Sequence, residues 1–125
     1  MDFKFQKIKT SGIKVRVFDN KKLIGRAYLY LIYNKLHSKP YGLLEDVFVD
    51  ENYRNQGIGS NLIQKTIQKA QEVGCYKLIA NVRFERENNQ RLYEKLGFKK
   101  HGYEFRIDFQ KYYYIIYYYS GVVQR

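Results

Sequence analysis

The apolar pattern of this chain changes period at one place, and that change limits what the chain can build. Residues 43–49, Leu43-Leu44-Glu45-Asp46-Val47-Phe48-Val49, read as an apolar strand. From Ile58 onward the spacing is helical: Ile58, Leu62, Ile63, Ile67, Ala70 and Val73 fall on one stripe, with Asn61, Gln64, Lys65, Gln68, Lys69 and Glu72 opposite. The link between them is Arg54-Asn55-Gln56-Gly57-Ile58-Gly59-Ser60. A strand that runs through a glycine-rich turn into a helix N-terminus is a device for holding phosphate, because backbone N–H groups point outward there and the helix dipole favours an anion. Gly57 and Gly59 remove the Cβ atoms that would keep a pyrophosphate from those amides. Arg54 adds a cation at the entrance. No Lys-Ser/Thr follows the glycines, and their spacing does not fit a dinucleotide fingerprint.

The remaining elements follow from the same reading. Ile13 to Phe18 alternates as a strand, Asp19-Asn20-Lys21-Lys22 supplies a turn, and Leu23 to Tyr33 is a second, long strand. On that strand Ala27, Leu29, Leu31 and Tyr33 share one face; Arg26, Tyr28, Tyr30 and Ile32 share the other. Residues 34–42 form a loop. Gly74 caps the first helix, Tyr76 to Val82 is a central strand, and a second helix covers about Asn88 to Leu96, closed by Gly97. Tyr103, Phe105, Ile107 and Phe109 alternate with Glu104, Arg106 and Asp108 as a last strand. The order is β-β-β-α-β-α-β, with a parallel, right-handed β-α-β unit at its centre.

A chain of 125 residues makes a single domain, 1–125, with a core at about 13–109 and a tyrosine-rich tail over 110–125. It lacks a signal-peptide stretch and an apolar run of membrane-spanning length, so a soluble cytoplasmic protein with no membrane partner is expected. Cys75 is the only cysteine, expected as a small buried residue, and His37 and His101 have no partner set; no metal and no histidine-based triad are expected. The net charge of +11 attracts polyanions. The lysines are scattered, however, and a Lys-, Asn-, Ile- and Tyr-rich composition reflects A/T-heavy codons, so no specific nucleic-acid partner is assigned.

Arg54-x-x-Gly57-x-Gly59 resembles the acetyl-CoA pyrophosphate loop of the GNAT acetyltransferase superfamily. Asn88-Asn89-Gln90-Arg91-Leu92-Tyr93-Glu94-Lys95-Leu96-Gly97-Phe98 resembles its second signature, a short helix that carries a Tyr and closes on Leu-Gly-Phe. The resemblance covers roughly residues 13 to 109. It implies an α/β (α+β) fold with a mixed, mostly antiparallel sheet around a central parallel β-α-β unit. Most members carry two helices between their first two strands; only twelve residues precede Ile13, so that pair is expected to be missing or reduced. The tail Tyr112-Tyr113-Tyr114-Ile115-Ile116-Tyr117-Tyr118-Tyr119 has no counterpart in the family. Its uncharged β-propensity is expected to form a further strand or to pair with a second copy in a homodimer.

The implied reaction transfers acetyl from acetyl-CoA, as co-substrate, to a primary amine. The loop Arg54, Asn55, Gln56, Gly57, Ile58, Gly59, Ser60 would cradle the pyrophosphate. The backbone of Val47, Phe48 and Val49 would pair with the pantetheine arm like an added strand, with an N–H near Phe48 as oxyanion donor. A protonated amine cannot attack, so a base is required. Residues 44–49 are similar to the matching segment of diamine and of glucosamine-6-phosphate acetyltransferases, where the Glu position lies at the acceptor amine. Glu45 is therefore expected as base, through a water, with Asp46 holding the substrate cation or the local structure. Tyr93 sits where the superfamily places the acid that protonates the departing thiolate, and a phenol pKa near 10 suits that task. Asn88 and Asn89 are expected to cap their helix or to bond pantetheine amides. The alternatives are acetylation of a protein N-terminus or lysine, which an open cleft would suit, and a non-catalytic acetyl-CoA- or nucleic-acid-binding module. The acceptor itself is left open, a sugar phosphate included, since Arg83 and Arg86 are available to a phosphate.

Overall fold

A computed structural model of the chain describes residues 1–110. Three antiparallel strands come first: β1 (Ser11–Asp19), β2 (Lys22–Ile32) and β3 (Tyr41–Val49). A single 3-10 turn, Glu51–Tyr53, leads to helix α1 (Ile58–Val73). Strand β4 (Leu78–Ala80) and helix α2 (Glu87–Lys95) follow. The sheet order is β1-β2-β3-β4, with β4 parallel to β3. The expected central β-α-β unit is thus present as β3-α1-β4, and the mixed, mostly antiparallel sheet is as expected. Residues 1–10 carry no helix or strand, and β1 turns directly into β2 at Asn20-Lys21, with Asn20 at φ 54°. No helix pair separates these two strands.

The alternation on β2 is as the pattern dictates. Ala27, Leu29 and Leu31 are buried, while Arg26, Tyr28 and Ile32 are half-buried and Tyr30 is exposed. On β3, Leu44, Val47 and Val49 join that buried face. Helix α1 covers it: Ile63 packs with Ala27, Leu44 and Val47, and Ala70 with Leu29 and Leu31. Each large side chain buried there contributes roughly 1.5–3 kcal/mol. Thr66, on neither face of the sequence pattern, is fully buried; its hydroxyl donates to the Leu62 carbonyl at 2.8 Å, which satisfies the only polar group it brings. Gly74 ends α1 at φ 93°, and the N–H groups of Gly74 and Cys75 turn back onto the carbonyls of Gln71 and Ala70. Cys75 is part-buried against the Leu29 cluster, and burial raises its thiol pKa.

Two expected elements differ. The central strand is Leu78–Ala80, not 76–82, because its pairing with β3 is confined to Gly42↔Leu78, Leu43↔Ile79 and Leu44↔Ala80. The last strand expected at 103–109 is not formed: Tyr103, Phe105, Ile107 and Phe109 are all exposed, and among the described residues no strand pairs with that segment. Alternation gives a segment a face, but a strand exists only with a hydrogen-bonded neighbour. The tyrosine-rich tail, and the pairing expected of it, lie outside the described residues.

Candidate active site

The site is built where β3 and β4 part. Beyond the Leu44↔Ala80 pair, β3 continues to Val49 with β2 as its neighbour on one side, and no described strand on the other. The parting coincides with an irregularity. Asp46 takes the left-handed conformation, φ 52°, and the β2–β3 register shifts between Arg26 and Tyr28. A non-glycine residue there costs roughly 1–2 kcal/mol, and such bulges locally disrupt the ladder of the strand that carries them. Its support is an ion pair: Arg26 Nε and Nη2 both donate to Asp46 Oδ2 at 3.2 Å. The other Asp46 oxygen, Oδ1, is buried with no hydrogen-bond partner among the described residues. Asp46 thus has a structural partner in Arg26. Val47 and Val49 point into the core, so only their backbones can serve a ligand, while Phe48 lies on the opposite face beneath Arg26, whose guanidinium carbon is 4.7 Å from the ring centroid.

The strand end leads into the glycine loop. Asp50 accepts from the Asn52 N–H at 3.0 Å, and Tyr53 donates its hydroxyl to Asp19 at 2.7 Å, which ties the loop to the β1–β2 turn. Arg54 Nε donates to the Val49 carbonyl at 3.0 Å, so its guanidinium folds over the end of β3, 6.0 Å from the Phe48 ring. Asn55 and Gly57 have φ of 63° and 82°, and both are exposed, as is Gln56. Helix α1 begins at Ile58 with no side-chain cap. Its first bond runs from the Asn61 N–H to the Gly57 carbonyl at 3.1 Å, which leaves the amides of Ile58, Gly59 and Ser60 without intrahelical partners. A Cβ placed on Gly57 would have no atom within 4 Å: the space above the turn is open. A concave turn, uncapped helix amides and an adjacent guanidinium suit a pyrophosphate.

Glu45 stands at the fork, half-buried, in direct register with Tyr28 of β2. Tyr93 approaches from α2 and packs against the Ala27, Leu44, Val47, Ile63 cluster. Its position follows from the end of its own helix. The N–H of Gly97 (φ 108°) bonds the Glu94 carbonyl at 3.1 Å, and that of Phe98 bonds the Tyr93 carbonyl at 3.0 Å. These two bonds form a Schellman closure, and the Leu96-Gly97-Phe98 sequence is what it requires. Burial first, and the Glu45 carboxylate second, push the Tyr93 phenol up to about 12. The ordinary value near 10 expected from the sequence is corrected by this placement, because both causes penalise the phenolate.

Asn88 and Asn89 do not cap α2. The helix starts at Glu87 after Arg86, since Gln90 N–H already bonds the Arg86 carbonyl and the Gln90 amide donates to the carbonyls of Arg83 and Phe84 at 2.8 Å. Both asparagines line an open depression of about 400 Å³ with Glu85, Arg86, Glu87 and Arg91, and no residue of β3 or of the glycine loop lines it. Asn88 also accepts a hydrogen bond from Arg91. Among the described residues no group of three or more His, Cys, Asp or Glu side chains is placed to hold a metal, and no helix is long and apolar enough to cross a membrane.

A forked sheet, a glycine turn at a helix N-terminus and a tyrosine beside the fork are the arrangement of one fold class, and similarity to known proteins points to the same class. The chain belongs to the acetyltransferase (GNAT) family, whose sequence profile matches residues 1–98. It is 35% identical over 103 residues to glucosamine 6-phosphate N-acetyltransferase of Trypanosoma brucei brucei, which covers 78% of this chain and 67% of that protein. It is 41% identical over 54 residues to thialysine N-epsilon-acetyltransferase of Bos taurus, covering 43% of this chain and 32% of that one. A putative acetyltransferase from Agrobacterium tumefaciens superposes with a TM-score of 0.69 at 26% identity, over 74% of this chain and 65% of the other. The chain therefore spans about two thirds of the first and third of these proteins and about a third of the second.

Proposed function

We propose that this chain transfers acetyl from acetyl-CoA directly to the primary amine of a small molecule. The observation that carries the proposal is the edge of β3 that no described strand pairs with, between the fork at Leu44↔Ala80 and the glycine loop, with Glu45 at one end and Arg54 at the other. The amides of Ile58, Gly59 and Ser60, with Arg54, Asn55, Gln56 and Gly57, would hold the pyrophosphate. The open backbone of Val47 to Val49 would align the pantetheine arm. Bound there, acetyl-CoA supplies the activated acyl group.

Glu45 takes the amine proton and Tyr93 returns one to the thiolate. A phenol at about 12 holds its proton firmly. Transfer to the leaving thiolate is therefore uphill until the phenol pKa falls. Proton uptake by Glu45 removes one of the two causes that keep it high, so the base step favours the acid step that follows. Two of the similar proteins take their names from glucosamine 6-phosphate and thialysine, both amines, which is the class proposed here. Thiol release from acetyl-CoA over a panel of amino sugars, polyamines, amino acids and peptides tests the reading. Release above hydrolysis with at least one small amine is expected; release with none would overturn it. The tail at 112–119, with its run of tyrosines, is assigned self-association, and light scattering on a chain ending at Phe109 checks this: the same oligomeric state as the full chain contradicts it.

A further inference from the structure

The sheet face turned away from α1 carries, around Glu45, an ordered set of side chains that acetyl transfer by itself does not use. Strand register aligns them in three rows across β1, β2 and β3: Gly12, Tyr30 and Leu43; Lys14, Tyr28 and Glu45; Arg16, Arg26 and Phe48. The rows are packed together. Tyr28 and Tyr30 stack with planes 5° apart and centroids at 5.8 Å, and a Cβ on Gly12 would come 3.1 Å from the Tyr30 ring. Lys14 Nζ lies 5.5 Å from the Tyr28 centroid, on the ring that is in register with Glu45. Arg16 and Arg26 face each other, an unfavourable pairing for like charges. Asp46 neutralises Arg26, but among the described residues neither Lys14 nor Arg16 has an acidic partner. Among the described residues the three rows and the Asp46 bulge carry Lys14, Arg16, Arg26, Glu45 and Asp46, with Arg54 beside Phe48 and Lys77 over Tyr41 at the margins; of the cations in the rows, the two without an acidic partner among the described residues both lie on β1.

We propose that the acceptor amine carries an anionic group, and that Lys14 and Arg16 bind it while the amine stands at Glu45. The inference rests on the acetyl-transfer reading and names the substrate class. Adjacent strands are about 4.8 Å apart, so β1 and β3 are separated by about 10 Å. A molecule that bridges them over the Tyr28 ring has its amine and anion on opposite sides of that ring. Phosphate and carboxylate both satisfy this chemistry. A polyamine does not, because its second cation would meet Lys14 and Arg16.

Matched acceptors test it: glucosamine 6-phosphate against glucosamine, and 6-aminohexanoate against hexylamine. We expect kcat/KM to favour the anionic member of at least one pair by tenfold or more, and the pair that responds identifies phosphate or carboxylate. Replacing both cations, Lys14→Gln with Arg16→Gln, should cut that preference at least fivefold through the acceptor KM rather than kcat. Both side chains are exposed, so the double variant should fold, and an unchanged melting temperature verifies this. Equal use of both members of each pair, or a variant that keeps the parent's preference, overturns the inference and leaves acetyl transfer standing. If no amine is acetylated, the reading beneath it fails. Calorimetry with glucosamine 6-phosphate and glucosamine then decides the anion site alone: equal binding by the parent refutes it, and a preference lost in the double variant supports it.

Discussion

Tyr93 and Phe98 are fixed to each other twice. The Phe98 N–H bonds the Tyr93 carbonyl at 3.0 Å, and the two rings meet edge to face with centroids 5.3 Å apart. The backbone bond belongs to the closure of α2, and the ring contact is the hydrophobic partner such closures favour. A residue proposed to deliver a proton is thereby held by the helix end that follows it. Gly97 is the hinge of this arrangement: its φ is 108°, and a Cβ added there would meet no atom within 4 Å. Gly97→Ala would be strained by its backbone, not by crowding, and should destabilise by about 1 kcal/mol or more. Turnover should fall as Tyr93 loses its support. Urea unfolding and turnover on one sample check both.

Removing the Tyr93 hydroxyl separates its roles. Tyr93→Phe keeps the ring against Phe98 and should leave the melting temperature at pH 7 near that of the parent. Turnover should drop by roughly 10²–10⁴. A variant within threefold of the parent, with chemistry shown to limit the rate, would exclude Tyr93 as the acid.

The raised phenol has a consequence for stability. Its folded pKa of about 12 exceeds the unfolded value of 10, so above pH 10 the unfolded chain releases this proton first. The stability that depends on the protonated phenol is complete below pH 10 and is lost as pH rises toward 12. Denaturant midpoints should fall across that window, and fall less steeply in Tyr93→Phe.

Glu45→Gln tests the coupling between the two groups. It removes the carboxylate that contributes to the elevation, so the Tyr93 titration, followed by NMR of ring-labelled tyrosine, should move down. Turnover should suffer most at lower pH, where the acceptor amine is mostly protonated, while acetyl-CoA affinity is retained. Parent-like rates across the pH range would end the assignment of Glu45 as base.

The glycine turn predicts a binding defect. Gly57→Val places a β-branched side chain at φ 82°, in the space proposed for the pyrophosphate. It should lower stability by about 1–2 kcal/mol and weaken acetyl-CoA binding at least tenfold. Calorimetry that returns the parent's affinity would remove this loop from the site.

Local order was legible wherever the sequence carries its own physical cause. The alternation of Ala27, Leu29 and Leu31, the helical stripe from Leu62 to Ala70, and the glycines that end α1 and α2 each act within a few residues, so spacing alone identifies them. The candidate loop and Tyr93 were legible for the same reason, as compact motifs. The tertiary structure decided what depends on partners distant in sequence. The segment 103–109 has the alternation of a strand and, among the described residues, no neighbour to pair with; the pairing of Leu78–Ala80 with β3 ends at Leu44, just before the bulge at Asp46. Thr66 is buried because Leu62 offers its hydroxyl a carbonyl in a helix packed on the sheet. Asp46 holds a left-handed conformation because Arg26, twenty residues earlier, meets its carboxylate. Lys14, Tyr28 and Glu45 become one row only through strand register, which no single segment encodes, since register is set by the pairing of whole strands and the turns between them.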